Sequence, residues 1–383
     1  MKLCVTTASG IEAVTKRELN KIIGKDDLAA VNGRIVFDGD FSDAAKCNLL
    51  LRTGNRVEII LGGFKADTFD DLFDGVIALP FEDFIDKNGR ILVDCKSVQS
   101  KLFAHSGIQS VAKKAICARL CKKYGVNVMP EDGARYKVQV ALLKDYVTVT
   151  LDTSGDGLHR RGYRGLVGEA PLKETLAAAL IELSVWNKTR PLADVFCGSG
   201  TIPIEACMIA LNIPAGLNRD FDFLSWKVFD RKIFDSIKEE ARSAIVRDEI
   251  PRISGFDIDD NQLKLARRHA QLAGVDKFVH FQRADMRDFS SRFSHGVIIS
   301  NPPYGERLSD RKGVEKLYRD YGKMVASLDD WCAYTLTPVD DFERLFGKKA
   351  DKTRKIYNGK IECRYYAHLA PPPSRARFEP IKP

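Results

Sequence analysis

Asp194-Val195-Phe196-Cys197-Gly198-Ser199-Gly200-Thr201 follows the short apolar run Leu192-Ala193 and precedes an apolar stretch from Ile202 to Leu211. Strand, glycine turn and helix in that order form the opening unit of a parallel α/β sheet. The two glycines let the backbone pass close to a ligand, because no Cβ intervenes. Pro203 suits the first turn of the helix behind the loop. Free N–H groups there favour an acidic ligand group, such as the carboxylate of a bound amino acid. Two other nucleotide loops are excluded. A dinucleotide fingerprint requires Gly or Ala where Pro203 stands, and a phosphate loop ends in Gly-Lys-Ser/Thr. The plain alternative is a tight turn without a ligand.

Strand signals recur on the carboxyl side of this unit at ISGFDI, FVHFQRA, GVIIS and WCAYTLT, with helical patterns between them. Alternation of this kind predicts a parallel sheet with helices on both faces. Asn358-Gly359 stands between two β-rich runs and predicts a two-residue hairpin turn, so at least one terminal strand is antiparallel. Asp257 closes ISGFD and Asp285 closes FQRAD. Ligands of open α/β sheets sit beyond the carboxyl ends of the strands. One Asp there can accept hydrogen bonds from two ribose hydroxyls, and a second can reach an adenine amino group. Each alone also fits an ordinary helix cap. Three strands ending in Asp194, Asp257 and Asp285 together point to a cofactor crevice.

Asn301-Pro302-Pro303-Tyr304 follows GVIIS. An exocyclic amine on a base is a poor nucleophile, because its lone pair is delocalised into the ring. The Asn301 side-chain carbonyl and the Pro302 backbone carbonyl can each accept a hydrogen bond from such an amine. That orients the lone pair and stabilises the positive charge that develops. Pro302 and Pro303 stiffen the backbone, and Tyr304 offers a flat face to an unpaired base. The alternative is a strand followed by a rigid turn.

Residues 1–55 read as a small α/β unit, and 56–153 repeat the mixture, ending in a hairpin near Lys144-Asp145. Residues 154–171 are rich in glycine and arginine and read as a linker or functional loop. Residues 172–383 carry the parallel pattern. Nine cysteines without a CxxC pair, and no apolar leader or run of 18 apolar residues, predict reduced thiols, no structural metal and a cytoplasmic location. The net charge of +8 is compatible with a polyanionic partner.

DVFCGSGT with NPPY resembles the class I methyltransferases that act on nucleic-acid amino groups. A wider set, SGDGLHRRGYR, APLKETLAAAL, PAGLNRDF, GFDID, NPPYGERL and IYNGKIECRYY, resembles the THUMP-domain ribosomal RNA guanine-N2-methyltransferases over nearly the whole chain. The resemblance implies an α/β protein with a Rossmann-like class I methyltransferase sheet behind ferredoxin-like and THUMP α+β domains. It implies S-adenosyl-L-methionine as methyl donor and structured RNA, ribosomal RNA first, as partner. By the same resemblance Asp194, Cys197, Gly198, Ser199, Gly200 and Thr201 form the cofactor loop. Asp257 meets the ribose and Asp285 the adenine, Pro171 lies near the methionine end, and Asn301 to Tyr304 are catalytic. Relatives with a second, downstream methyltransferase domain are longer, so the stand-alone form is expected.

Basic residues for RNA phosphates are expected on three segments. They are Lys113, Lys114, Arg119, Lys122 and Lys123; His159, Arg160, Arg161 and Arg164 beside Tyr163; and Arg307, Arg311 and Lys312. Transfer RNA guanine-N2 and adenine N6 remain open as rival targets. A non-catalytic ribosome-assembly factor is the rival from another class.

Overall fold

A computed structural model of the 383-residue chain describes residues 1–31, 33–164, 172–247, 250–304 and 311–371, the Arg311 side chain excepted. In chain order the first half holds β1 (Lys2–Thr7), α1 (Glu12–Ile23), β2 (Ala29–Val31), β3 (Arg34–Asp38), α2 (Phe41–Leu50), β4 (Gly54–Lys65), α3 (Phe69–Ile77), β5 (Arg90–Val98), α4 (His105–Tyr124), β6 (Arg135–Leu143) and β7 (Tyr146–Asp152). Then follow α5 (Glu174–Leu183), β8 (Leu192–Asp194), α6 (Thr201–Ala210), α7 (Arg231–Ser243), β9 (Ile253–Asp257), α8 (Asp260–Ala273), β10 (Val279–Arg283), β11 (Val297–Ser300), α9 (Arg311–Ala326), β12 (Cys332–Thr337), α10 (Phe342–Phe346), β13 (Lys352–Asn358) and β14 (Ile361–His368). They form two compact units. The first comprises Met1–Thr7, Thr15–Leu158 and Ala215–Ser243; the second comprises Ala8–Val14, His159–Pro214 and the chain from Ala244 onward.

The first unit is built on one sheet of order β2-β3-β1-β4-β7-β6-β5, in which only β5 and β6 run parallel. Strict alternation in β6 sends Tyr136, Val138, Val140 and Leu142 inward, as a half-covered strand requires. The β6–β7 hairpin turns on Lys144 and Asp145, both left-handed, at φ 51° and 62°. β4 is the joint of the sheet. Its residues from Gly54 to Ile59 pair with β1, and those from Glu58 to Lys65 pair with β7. One strand therefore serves both the ferredoxin-like and the THUMP portions.

Segment Ala215–Ser243 lies inside the stretch of sequence that carries the parallel α/β pattern but packs in the first unit. Trp226 stacks on Tyr136 with ring centroids 5.0 Å apart and donates from Nε1 to the Arg135 carbonyl at 2.9 Å. Arg135 forks onto Asp222 at 2.8 Å. Phe223, Phe229 and Phe234 complete a buried aromatic cluster. A segment with this much aromatic surface must bury it somewhere, and the first unit provides the cover.

The second unit has the order β10-β9-β8-β11-β12-β14-β13. The first five strands are parallel, and β14 and β13 are antiparallel. β11 and β12 are buried at every position, as in a sheet covered on both faces. The terminal hairpin exists as expected, displaced by one residue. Asn358 pairs with Ile361, so the turn is Gly359-Lys360, with Gly359 at φ +65°. Helix α5 ends at Leu183, although the apolar pattern of KETLAAALIELSVW continues to Trp186. Ser184 Oγ donates to the Ile181 carbonyl at 2.7 Å and accepts from the Trp186 N–H at 3.0 Å, drawing the chain out of the helix.

Candidate active site

β8 sits between β9 and β11, so the segment after Asp194 emerges in the middle of the sheet. The Asp194 carboxylate is buried. It accepts from Ser300 Oγ at 2.8 Å and from the Phe196 N–H at 3.1 Å. Burial pushes this carboxyl up from 3.8 to about 7, against those two hydrogen bonds. Ser300 Oγ also accepts from the Val195 N–H at 3.2 Å, which ties β11 to the base of the turn.

The Cys197 N–H donates to the Phe256 carbonyl at 2.9 Å, and the Gly200 N–H closes the turn onto the Cys197 carbonyl at 2.8 Å. Gly198 and Gly200 adopt φ +49° and +82°, a region that costs other L-residues strain. A Cβ on Gly200 would stand 2.8 Å from Phe281 Cζ and 2.9 Å from Ala266 Cβ, whereas one on Gly198 would meet nothing within 4 Å. The turn is packed below and open above. Thr201 and Cys197 are buried at its two ends, and burial raises the Cys197 thiol well above its usual range.

Asp257 joins the turn directly. Its Oδ2 accepts from the Gly198 N–H at 2.9 Å and its Oδ1 from the Asp259 N–H at 2.9 Å. Each oxygen retains a lone pair for a hydroxyl. Asp285, one strand further out, accepts from the Arg287 N–H at 2.9 Å and pairs with its guanidinium at 2.7 Å, while Arg287 also holds Asp320 at 2.9 Å. Asp285, Asp257, Asp194 and Asn301 thus stand in that order past the carboxyl ends of four adjacent parallel strands.

Asn301 directly follows Ser300, the residue bonded to Asp194. Its Oδ1 is buried and has no hydrogen-bond partner among the described residues. Pro302 is buried and Pro303 exposed. The Pro303 carbonyl accepts from Tyr318 OH at 3.3 Å, and Tyr318 is itself buried and shares a hydrogen bond with Thr337. Tyr304 is half-buried. The Tyr318 hydroxyl braces the tetrapeptide, and Asn301 Oδ1 is an acceptor unmet among the described residues.

The basic segment before α5 departs from the expectation at Arg161 and Arg164, whereas Arg160 is exposed and His159 half-buried. Arg161 and Tyr163 are buried, not displayed to phosphate. Arg161 faces Glu205 at 3.4 Å, and Tyr163 OH donates to Glu205 at 3.0 Å. Arg164 is paired with Glu174 at 3.1 Å. The signal was present in Ile202-Pro203-Ile204-Glu205-Ala206. A carboxylate on an otherwise apolar helix requires a cation or donors inside the protein. On α4, Arg119 forks onto Glu82 at 2.6 and 2.7 Å, and Lys113 pairs with Glu131 at 2.9 Å. Lys122 and Lys123 remain exposed. Pro171, Arg307 and the Arg311 side chain lie outside the described residues. Among the described residues no group of His, Cys, Asp or Glu is placed to hold a metal, and no helix is long and apolar enough to cross a membrane.

Three family descriptions match the chain: an RlmL ferredoxin-like domain over residues 2–58, a THUMP domain over 66–152 and an RMKL-like methyltransferase domain over 161–367. YpsC of Bacillus subtilis (strain 168) is 41% identical over 368 residues, covering 96% of this chain and 95% of that protein. Ribosomal RNA large subunit methyltransferase K/L of Syntrophotalea carbinolica is 31% identical over 380 residues, and the match covers 95% of this chain but only 53% of that protein. The crystal structure of SMU.472 complexed with SAH superposes with a TM-score of 0.91 at 41% identity, covering 97% of this chain and 98% of that one. The turn, the acidic strand ends and the tetrapeptide therefore sit in a recognised frame, and the chain belongs to the RMKL-like methyltransferase family, with ferredoxin-like and THUMP domains ahead of the catalytic one.

Proposed function

We propose that the protein methylates the exocyclic N2 amine of a guanine in structured RNA, with large-subunit ribosomal RNA as the substrate and S-adenosyl-L-methionine as the donor. The observation that carries this reading is Asn301 Oδ1 at the end of β11, a buried acceptor without a donor among the described residues. Buried polar atoms are seldom left unpaired, and those that are call for a function. An incoming amine would satisfy it. The Pro302 carbonyl takes the amine's second N–H, and the pair turns the nitrogen lone pair away from the ring. As the N–C bond forms, both oxygens stabilise the charge on nitrogen, and the surplus proton leaves to water. When bound, the donor would supply the electrophilic methyl, its C–S bond breaking as the N–C bond forms and S-adenosylhomocysteine leaving.

The residues present fit that donor. Gly198 leaves open space above the turn, and Asp257 keeps lone pairs for ribose hydroxyls. SMU.472, a full-length relative in this frame, carries SAH. The K/L relative is named for large-subunit ribosomal RNA, and THUMP homology supports RNA docking through the N-terminal half, residues 1–153. We assign residues 172–383, apart from Ala215–Ser243 of the first unit, to the catalytic domain and 154–171 to the connection, of which Arg161 to Arg164 pack in the second unit. The test is mass mapping of ribosomal and transfer RNA from cells that lack the protein. Loss of one N2-methylguanine from large-subunit RNA is expected. Loss of an N6-methyladenine or of a transfer-RNA mark would replace the substrate, and no lost mark would remove the enzymatic reading.

A further inference from the structure

We infer that Arg164 is a positioning residue that sets the cofactor turn through Ser199. Its guanidinium makes three contacts from a nearly buried position. One nitrogen donates to the Leu172 carbonyl at 3.0 Å and faces Glu174 at 3.1 Å, and the other donates to Ser199 Oγ at 3.2 Å. The Ser199 carbonyl accepts from His269 Nδ1 at 3.1 Å. That bond fixes the tautomer, because a carbonyl only accepts. Ser199 is thus held at its hydroxyl and at its backbone.

The need for two holds follows from the flanking residues. Ser199 lies between Gly198 and Gly200, both left-handed, and glycine has more backbone freedom to lose than any other residue. A turn of this composition holds its peptide planes only when something outside it does so. Arg161 and Tyr163, three and one residues earlier, are anchored on Glu205 of α6, the helix that the turn opens. The segment from Arg161 to Tyr163 is thus fixed to the helix, and Arg164 reaches from it to the turn. Neutralisation by Glu174 lets the guanidinium serve as a rigid fork without leaving an unpaired charge under the site. A turn fixed before the ligand arrives binds it without a further ordering cost.

The inference rests on the cofactor reading of the turn. S-adenosylhomocysteine binding to the full chain, followed by calorimetry, tests both. Arg164→Met is expected to weaken binding about tenfold, or about 1.4 kcal/mol, and Arg164→Lys to recover part of that loss. Ser199→Ala, which removes only a hydroxyl, is expected to weaken binding severalfold. The double variant should bind no worse than Arg164→Met alone, because the two share one path. Tyr163→Phe loses the Glu205 bond remote from the turn, so it should lower the melting temperature and leave binding within about twofold. Unchanged binding in Arg164→Met or Ser199→Ala, additive losses in the double variant, or an equal loss in Tyr163→Phe would overturn the inference. A native protein that binds no S-adenosylhomocysteine would instead overturn the functional reading on which it stands.

Discussion

Replacing Asn301 by alanine separates catalysis from packing by the sign of two measurements. The side-chain oxygen is buried without a partner among the described residues, a condition that costs a folded protein about 1–3 kcal/mol. Alanine removes that oxygen, so the fold should lose nothing and gain up to about 1 kcal/mol after the small void is counted. For a unit of this size that corresponds to a melting temperature unchanged or raised by about 2–4 °C. Activity moves the other way. Loss of one preorganised group facing developing charge costs about 2.7–4 kcal/mol of transition-state stabilisation, or about 10²–10³ in rate. The assay is methyl incorporation from labelled S-adenosyl-L-methionine into total RNA of cells lacking the protein, alongside thermal melts and S-adenosylhomocysteine binding. Binding should stay within about twofold, since Asn301 is assigned to the amine and not to the donor. A variant that keeps about a third of the native rate, or one that melts several degrees lower, would refute the reasoning.

Asp194→Asn tests the buried carboxyl. A folded-state value raised from 3.8 to about 7 means that the native protein holds its proton more tightly than the unfolded chain. The stability that this contributes is complete below 3.8 and is lost as pH rises to about 7. Thermal melts should therefore show the native protein losing ground to Asp194→Asn across that range, and parallel curves would contradict the assignment. Glu205→Ala removes the carboxylate that faces buried Arg161 and should cost about 3–5 kcal/mol in urea denaturation; a loss below about 1 kcal/mol would show that the pair is not structural. A fragment starting at His159 retains Phe221, Phe223, Trp226, Phe229 and Phe234 without the first-unit residues they pack on. It should bind a hydrophobic dye and aggregate, whereas the same fragment with 215–243 replaced by a short linker should not.

The catalytic sheet was legible because its information is local. The glycine turn between strand and helix, each acid closing its strand, and Asn301-Pro302-Pro303-Tyr304 after GVIIS are each written within a few residues of sequence, and the topology aligns them. What was not legible depends on distant partners. Nothing in Gly54–Lys65 reveals that its two halves pair with β1 and with β7, since strand pairing is set by cross-strand packing. Helix α7 buries Phe234, Ile237 and Ala241 on one side, a pattern that is the same whichever core receives it. The polar look of the Arg161 to Arg164 segment suggested solvent and phosphate. Glu205, 44 positions from Arg161, and Glu174, paired with Arg164, turn it inward.

Because Ala215–Ser243 completes the first unit, order of synthesis and order of assembly diverge. A ribosome that has released residue 158 has delivered every strand of the first sheet but not the aromatic residues that cover Tyr136. That face stays uncovered while a further stretch of the second unit, including the glycine turn, leaves the exit tunnel. Neither unit is a contiguous gene segment, so exchange of domains between relatives would have to move three pieces of chain at once.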